Sequence, residues 1–293
     1  MLGMRYDPVF TDFTVPGTRS SPEVTRGKPF QDPLYGIRPT DTLQLVGSED
    51  FDVARTDLRR SLLGQYDALR RDLEVSERIN TYTQQQHLAF SLLTSGKLHA
   101  ALDYTRESSA VRDAYGMTLF GQSCLAARRL IEAGTRFVTV FWDAYGLNAG
   151  GWDTHHNHFP RLKEFLLPGF DQTFTALILD LEHRGLLEET LVLVLSEHGR
   201  TPQIDNKPAG AGRHHWSRAY SQVYAGGGLK PGVVIGRTDK SAGDVEENPV
   251  SPKDILATAF HLLGIDPEGT FPDPEGRPMP LTGTGRLRPE LLA

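Results

Sequence analysis

The stretch TLVLVLSEHGRTP, residues 190–202, decides how this chain is read. Its first half is a near-continuous apolar, β-branched run. That is the pattern of a strand covered on both faces, as in a parallel sheet flanked by helices. Its second half sets Glu197 and His198 at the end of that run and follows them with a GRTP turn. In open α/β sheets ligands sit at the carboxyl ends of the strands, so one segment poses a fold and a site together.

Working outward, the residues before it form an amphipathic helical pattern over about 161–184, closed by Gly185. Before that helix stands a second apolar run, FVTVFW (137–142), which reads as a core strand. The two runs are expected to be neighbouring parallel strands joined by a right-handed crossover through the helix. Downstream, AYSQVYAGG (219–227) and GVVIG (232–236) read as further strands. Ser251, with Asp254 three residues on, caps a helix that runs through PKDILATAFHLL to Gly264. A tail rich in Pro and Gly ends in a short helical RPELL. Residues 135–293 are thus expected to form an α/β core.

The first half has a different grammar. Residues 1 to about 50, rich in Pro, Gly, Asp and Thr, read as extended surface chain. Residues 52–133 read as helical. Leu58, Leu62, Leu63, Tyr66, Leu69 and Leu73 make one apolar stripe, and shorter pieces follow at QQHLAFSLL and LHAALDYT. A helix from about Leu119 to Ala133 stops at Gly134. The expectation is a single domain over 1–293, a mostly parallel sheet flanked by helices with a helical insertion at 52–133. Such sheets usually hold about five or six strands. Only four are legible and all are late, so the sequence reads as lacking an N-terminal portion. An uncovered sheet edge, and hence self-association, would follow.

Composition limits the function. The net charge is −6 and no Lys/Arg-rich block stands out, so no nucleic-acid footprint is expected. The one cysteine, Cys124, excludes a disulfide framework and a thiolate metal site. No apolar run reaches the length of about 18 residues of a membrane span, and no signal peptide is visible at the N-terminus.

Seven of the ten histidines fall between 155 and 215, six of them in three clusters placed just after an apolar run or a short distance beyond one. The first, in GGWDTHHNHF (150–159), holds Asp153, His155, His156 and His158. The second is Glu197–His198. The third, in GRHHW, is His214–His215. Imidazole and carboxylate without thiolate suit zinc, manganese or iron. Two such ions about 3.5–4 Å apart can clamp the attacking and leaving oxygens of a displacement at phosphorus. Arg200 and Arg213 could fork onto an anionic ester. Thr154, Ser196 and Thr201 are the nearest hydroxyls, although Ser196 reads as a strand-end hydrogen-bonder and Thr201–Pro202 as a turn. His87, His99, His183 and His261 lie in helical patterns and read as structural.

As a set, GWDTH, the GRTP turn after a strand, GRHHWSRAYSQVYAGGGLKPGVVIG and VSPKDILATAFHLLGID resemble the bacterial domain-of-unknown-function 1501 family, which is sulfatase-like and lies within the alkaline phosphatase superfamily. The resemblance covers most of the chain. It implies an alkaline-phosphatase-like α/β core with a helical insertion. By motif it implies a metal-ligand set of Asp153, His155, Glu197, His198 and His215. Three departures stand out: His198 where many relatives have phenylalanine, Glu197 where superfamily enzymes more often have aspartate, and GRHHW in place of GRDHW, with His214 replacing the acid. The superfamily's nucleophile and first metal-binding aspartate lie N-terminal to the part seen here, and many relatives carry an export signal there. The resemblance therefore implies an extracytoplasmic protein when intact, and no ester turnover from this chain alone. The function expected is that of a metal-dependent phosphate- or sulfate-ester hydrolase relative, acting on a small anionic ester or a sulfated or phosphorylated saccharide. The alternatives are a non-catalytic relative that binds a metal or an anionic sugar, and an interaction module that docks through its helical half.

Overall fold

The structure is a computed structural model that describes residues 11–13, 43–45, 96–142, 151–208, 210–273 and 275–293. The chain divides into two compact units, one of residues 2–24 and 35–141, the other of residues 142–293 with residue 1 and residues 25–34.

In the first unit, β1 (Thr11–Phe13) pairs antiparallel with β2 (Leu43–Leu45). The helices are α1 (Gly96–Leu102), a 3-10 turn at Tyr104–Arg106, α2 (Ser109–Tyr115) and α3 (Leu119–Glu132). α2 and α3 each start where a hydroxyl can satisfy an orphan backbone donor: Ser108 accepts from Val111 and Thr118 from Gly121. α3 closes as expected at Gly134, whose positive φ of 98° costs a glycine little. Leu102, Tyr104, Tyr115 and Leu125 form the buried centre. Cys124 is buried with them, and burial pushes its thiol up to about 12, so it is an inert core residue.

An ionic knot ties these helices together. Arg128 and Arg129 of α3 both pair with Glu107, Arg128 with Nη2 2.9 Å from Oε1. Arg129 also donates to the carbonyls of Ala100 and Ala101 at 2.6 and 2.9 Å, covering the C-terminal end of α1 with positive charge. The helical stripe expected at 58–73, with QQHLAFSLL, lies outside the described residues.

The expected strand at 137–142 is not a strand. Phe137 and Phe141 are 82% and 79% exposed, and the segment carries no ladder. A β-branched run forms a strand only where a neighbour offers hydrogen bonds, and composition alone does not supply one.

In the second unit, α4 (His158–Arg161), a π turn (Leu162–Leu166) and α5 (Leu167–His183) form one continuous helical rod. The π turn has a local cause. Pro168 has no N–H for the carbonyl of Glu164 and its ring would collide with it. The backbone opens instead, and Leu167 donates to Leu162, five residues back. Gly185 ends the rod with φ 68°, as expected.

TLVLVLS is a strand only over β3 (Val192–Val194), and it pairs antiparallel with β6 (Val223–Ala225), Val192 facing Ala225. β4 (Gly199–Arg200) pairs with β5 (His215–Trp216), β7 (Arg237–Thr238) with β8 (Val245–Glu247), and β9 (Thr270–Pro272) with β10 (Pro278–Pro280). Among the described residues every strand pair is antiparallel and two-stranded. GVVIG, also expected as a strand, is none: Gly232 and Gly236 sit at φ 70° and 85° at its two ends, and Val234 is 93% exposed. α6 (Pro252–Leu262) begins with the expected reciprocal cap, Ser251 accepting from Asp254 and Asp254 accepting from Ser251. RPELL ends in a 3-10 turn at Pro289–Leu291. Among the described residues no helix is long and apolar enough to cross a membrane.

Candidate metal centre

Two chain segments build the site. The first is the loop 151–157 that leads into α4. Buried Arg161, in the first turn, reaches back and donates to the carbonyls of Gly151 and Asp153, which fixes the loop's path. Asn157 takes a left-handed φ of 48° immediately before the helix. His158 is buried and shares a 2.6 Å hydrogen bond with the hydroxyl of Thr154. Burial, helped by the charges of Arg213, Arg200 and Arg161, pushes His158 down to about 4, so it stays neutral and structural at pH 7.

The second segment is the excursion 199–216. β4 and β5 close its base and place His215 opposite Arg200. Asp205 and Gly212 exchange backbone hydrogen bonds of 2.9 Å across its neck. The two segments are laced together: His158 N–H donates to Ala211 at 2.9 Å and Arg213 N–H to Thr154 at 3.4 Å. Gly212 sits so close to the loop that a Cβ there would lie 1.8 Å from the His155 carbonyl oxygen. Gly212→Ala should therefore force the segments apart and cost about 1–3 kcal/mol of stability, the range for an overpacked site. A urea titration checks this, and an unchanged midpoint would mean that the lacing tolerates a methyl group.

The lacing brings together three of the five expected ligands. His155 Nε2 lies 2.9 Å from Asp153 Oδ1, His215 Nε2 lies 2.8 Å from the same oxygen, and the two ring nitrogens are 3.0 Å apart. Arg200 donates to Asp153 Oδ1 at 2.8 Å and to the Trp152 carbonyl at 2.8 Å. Burial works against the Asp153 carboxylate. Hydrogen bonds from His215 and Arg200 and the charges of His155 and Arg200 outweigh it and hold the group at about 2. His155 is moved down from its ordinary value, first by burial, against the pull of Asp153, with Arg200, His215 and His214 adding to the shift.

The other two expected ligands stand at one remove. The His198 ring stacks on His215, centroids 4.0 Å apart, and its Nδ1–H donates to the Gly199 carbonyl at 3.0 Å. Glu197 meets His198 Nε2 at 3.1 Å and is 79% exposed. Of the two arginines expected to bind substrate, Arg200 pins Asp153, and Arg213 donates to the carbonyls of Thr201 and Arg200. His156 takes no part in the triad. Sequence reasoning missed Asp205, Arg161 and Gly212. The glycines of GAGRHHW were the one signal that the backbone comes close to something there.

Two imidazoles and a carboxylate with mutually close ligand atoms make up a donor set that could hold a metal. A tetrahedral ion with bonds of about 2.0–2.1 Å sets its ligand atoms roughly 3.3 Å apart. Each pair here would open by only a few tenths of an ångström to accept one. This is a mixed helix-and-strand protein with a candidate His/Asp metal centre. Residues 20–292 match the family described as "Protein of unknown function (DUF1501)", and the chain belongs to that family. No curated protein and no solved structure matches it.

Proposed function

We propose that this chain is a relative of metal-dependent phosphate- and sulfate-ester hydrolases, built on an α/β core of the alkaline phosphatase type. The observation that carries the reading is the convergence of Asp153, His155 and His215 from segments about 60 residues apart in sequence. Three protein ligands with a fourth position open is the arrangement of catalytic zinc. Bound there, a divalent transition metal ion would polarise an ester oxygen. Glu197 and His198, one ring away, complete the ligand set that the sulfatase-like resemblance implies. Arg200 and Arg213 supply positive charge for an anionic ester or a sulfated or phosphorylated saccharide.

A second reading, a non-catalytic relative that binds a metal or an anionic sugar, draws on the hydroxyls. Thr154 is buried against His158. Ser196 donates to the His198 carbonyl and Thr201 to the Gln203 carbonyl. Each of the three is engaged by its own loop. The test loads the chain with zinc or manganese and offers 4-nitrophenyl phosphate, 4-nitrophenyl sulfate and inorganic phosphate. Metal-dependent hydrolysis that is lost in His155→Ala supports the hydrolase. Metal-dependent phosphate binding without turnover supports the non-catalytic relative. Neither turnover nor anion binding by metal-loaded protein overturns the anionic-ester reading.

A further inference from the structure

Behind the triad lies a second line of polar groups that its ligand set does not include. His155 presents Nε2 to Asp153 and His215, and its other nitrogen, Nδ1, lies 2.9 Å from Nδ1 of His214. His214 in turn presents Nε2 to Asp205 Oδ2 at 2.9 Å. Asp205 is anchored from its other side by Lys207, whose Nζ lies 2.8 Å from the same oxygen. The hydroxyl of Thr201 accepts from the His214 backbone N–H at 3.1 Å, which fixes where His214 stands.

Two carboxylates compete to order the protons of this row when both rings are neutral: Asp205 at the His214 end, and Asp153, whose Oδ1 lies 2.9 Å from His155 Nε2. A carboxylate can only accept, so His214 must carry its proton on Nε2. Its Nδ1 is then a bare lone pair, which can only accept. His214 therefore draws the one proton of neutral His155 to Nδ1 while Asp153 draws it to Nε2, and an ion taking the Asp153 side would settle it on Nδ1 and leave Nε2 bare. A bare nitrogen is what a metal ligand requires, and ligating histidines usually donate their other N–H to a group that fixes the ring. Here that group is a second histidine, itself fixed by a carboxylate.

We propose that Asp205 and His214 are positioning residues that bias the tautomer of His155 toward Nδ1–H, against the pull of Asp153, so that its Nε2 is readied to ligate a divalent metal. The inference rests on the reading of Asp153, His155 and His215 as a metal centre. The ordering of protons, however, can be read without any metal.

The experiment is long-range 1H–15N NMR of the imidazoles in metal-free protein at a pH where both rings are neutral, followed by zinc titration. Wild type is expected to show His214 as the Nε2–H form and His155 as a mixture in which the Nδ1–H form is populated. In His214→Phe the acceptor is gone, and His155 should shift toward the Nε2–H form, with zinc affinity down by roughly 10-fold or more, the scale of outer-shell ligand partners. His214→Asn places an amide oxygen where Nδ1 stood and should restore the Nδ1–H form and most of the affinity. Asp205→Ala should leave His214 a mixture of forms. A purely structural role for His214 would change stability in both His214 variants without separating phenylalanine from asparagine in the tautomer of His155. His155 found as Nε2–H in wild type, or unchanged in His214→Phe, overturns the relay whatever zinc does. The expected tautomers in a wild-type chain that takes up no zinc would support the relay while the metal reading fails.

Discussion

Alanine at His155 or at His215 is expected to abolish most of the divalent-metal binding proposed for this chain, while alanine at His183 should leave it unchanged. Removing one of three ligands deletes a bond to the ion and also frees Asp153 Oδ1, which both rings approach within 2.9 Å. The expected loss exceeds the roughly 10–100-fold that follows from losing an outer-shell partner. His183 ends α5 and is exposed, away from any ligand set, so its variant reports non-specific effects. The pH dependence has a definite sign. A ligating imidazole must be neutral, so affinity falls as the ring is protonated. Burial and neighbouring positive charge move His155 down, so it remains ligand-competent below the ordinary histidine value of about 6.5. Asp153, held at about 2, keeps its charge throughout. The part of the fall that depends on His155 therefore lies below pH 6.5. Isothermal titration with zinc and manganese at several pH values measures both effects. Equal affinity in wild type and the His155→Ala and His215→Ala variants would remove the metal centre.

Glu107→Ala destabilises the first unit by about 3 kcal/mol, the low end of the cost of breaking a buried ion pair from one side. The low end applies because Arg128 keeps Glu132, with Nη1 2.7 Å from Oε2. The guanidinium of Arg128 is wholly buried, so it cannot turn to water for compensation. Glu107→Gln retains an acceptor for both arginines and should cost less. Burial raises the Glu107 carboxyl, but the hydrogen bonds and charges of Arg129 and Arg128 outweigh it and leave the group lowered. Its contribution is therefore complete above the ordinary glutamate range and is lost as pH falls through the lowered value. Urea titrations of both variants at pH 7 check the size. Equal midpoints for wild type and alanine would show that the knot carries no net stability.

What the sequence made legible was local. The Ser251–Asp254 cap, the glycine stops at 134, 185 and 264, and the helical patterns from about 119, 161 and 252 depend on residues three or four apart, and these are present. The strands were legible only as far as their partners allowed. Val192–Val194 found Val223–Ala225, whereas 137–142 and 232–236 had composition without a ladder. Gly232 and Gly236 flank the second of these, and their positive φ was the missing clue. In the site, Asp153, His155 and His215 could be picked out because each lies in a His-rich segment that the family resemblance marks as ligand-bearing. That Glu197 would turn to His198, and that His214 would stand between His155 and Asp205, depends on how the excursion folds back at Asp205 and Gly212. No short-range pattern encodes that contact.

The open turn at 162–166 has a consequence for how the rod is built. Among the described side chains its buried positions are His158, Arg161, Leu166, Gly169, Thr173 and Leu181. All but one of the steps between them are three, four or eight, which keep one face of a regular helix. The exception is the step of five from Arg161 to Leu166. At about 100° per residue, five residues would leave these two roughly 140° out of phase. The widened turn takes up one extra residue and returns them to the same side. The helix is thus two in-phase pieces with a corrector between them, one piece bracing the loop that carries Asp153 and His155, the other filling the interior. Deleting one residue from 162–166 would remove that extra residue and swing His158 and Arg161 by about 100° relative to everything downstream. Pro168, which has no N–H to close a regular turn, keeps the two pieces in step.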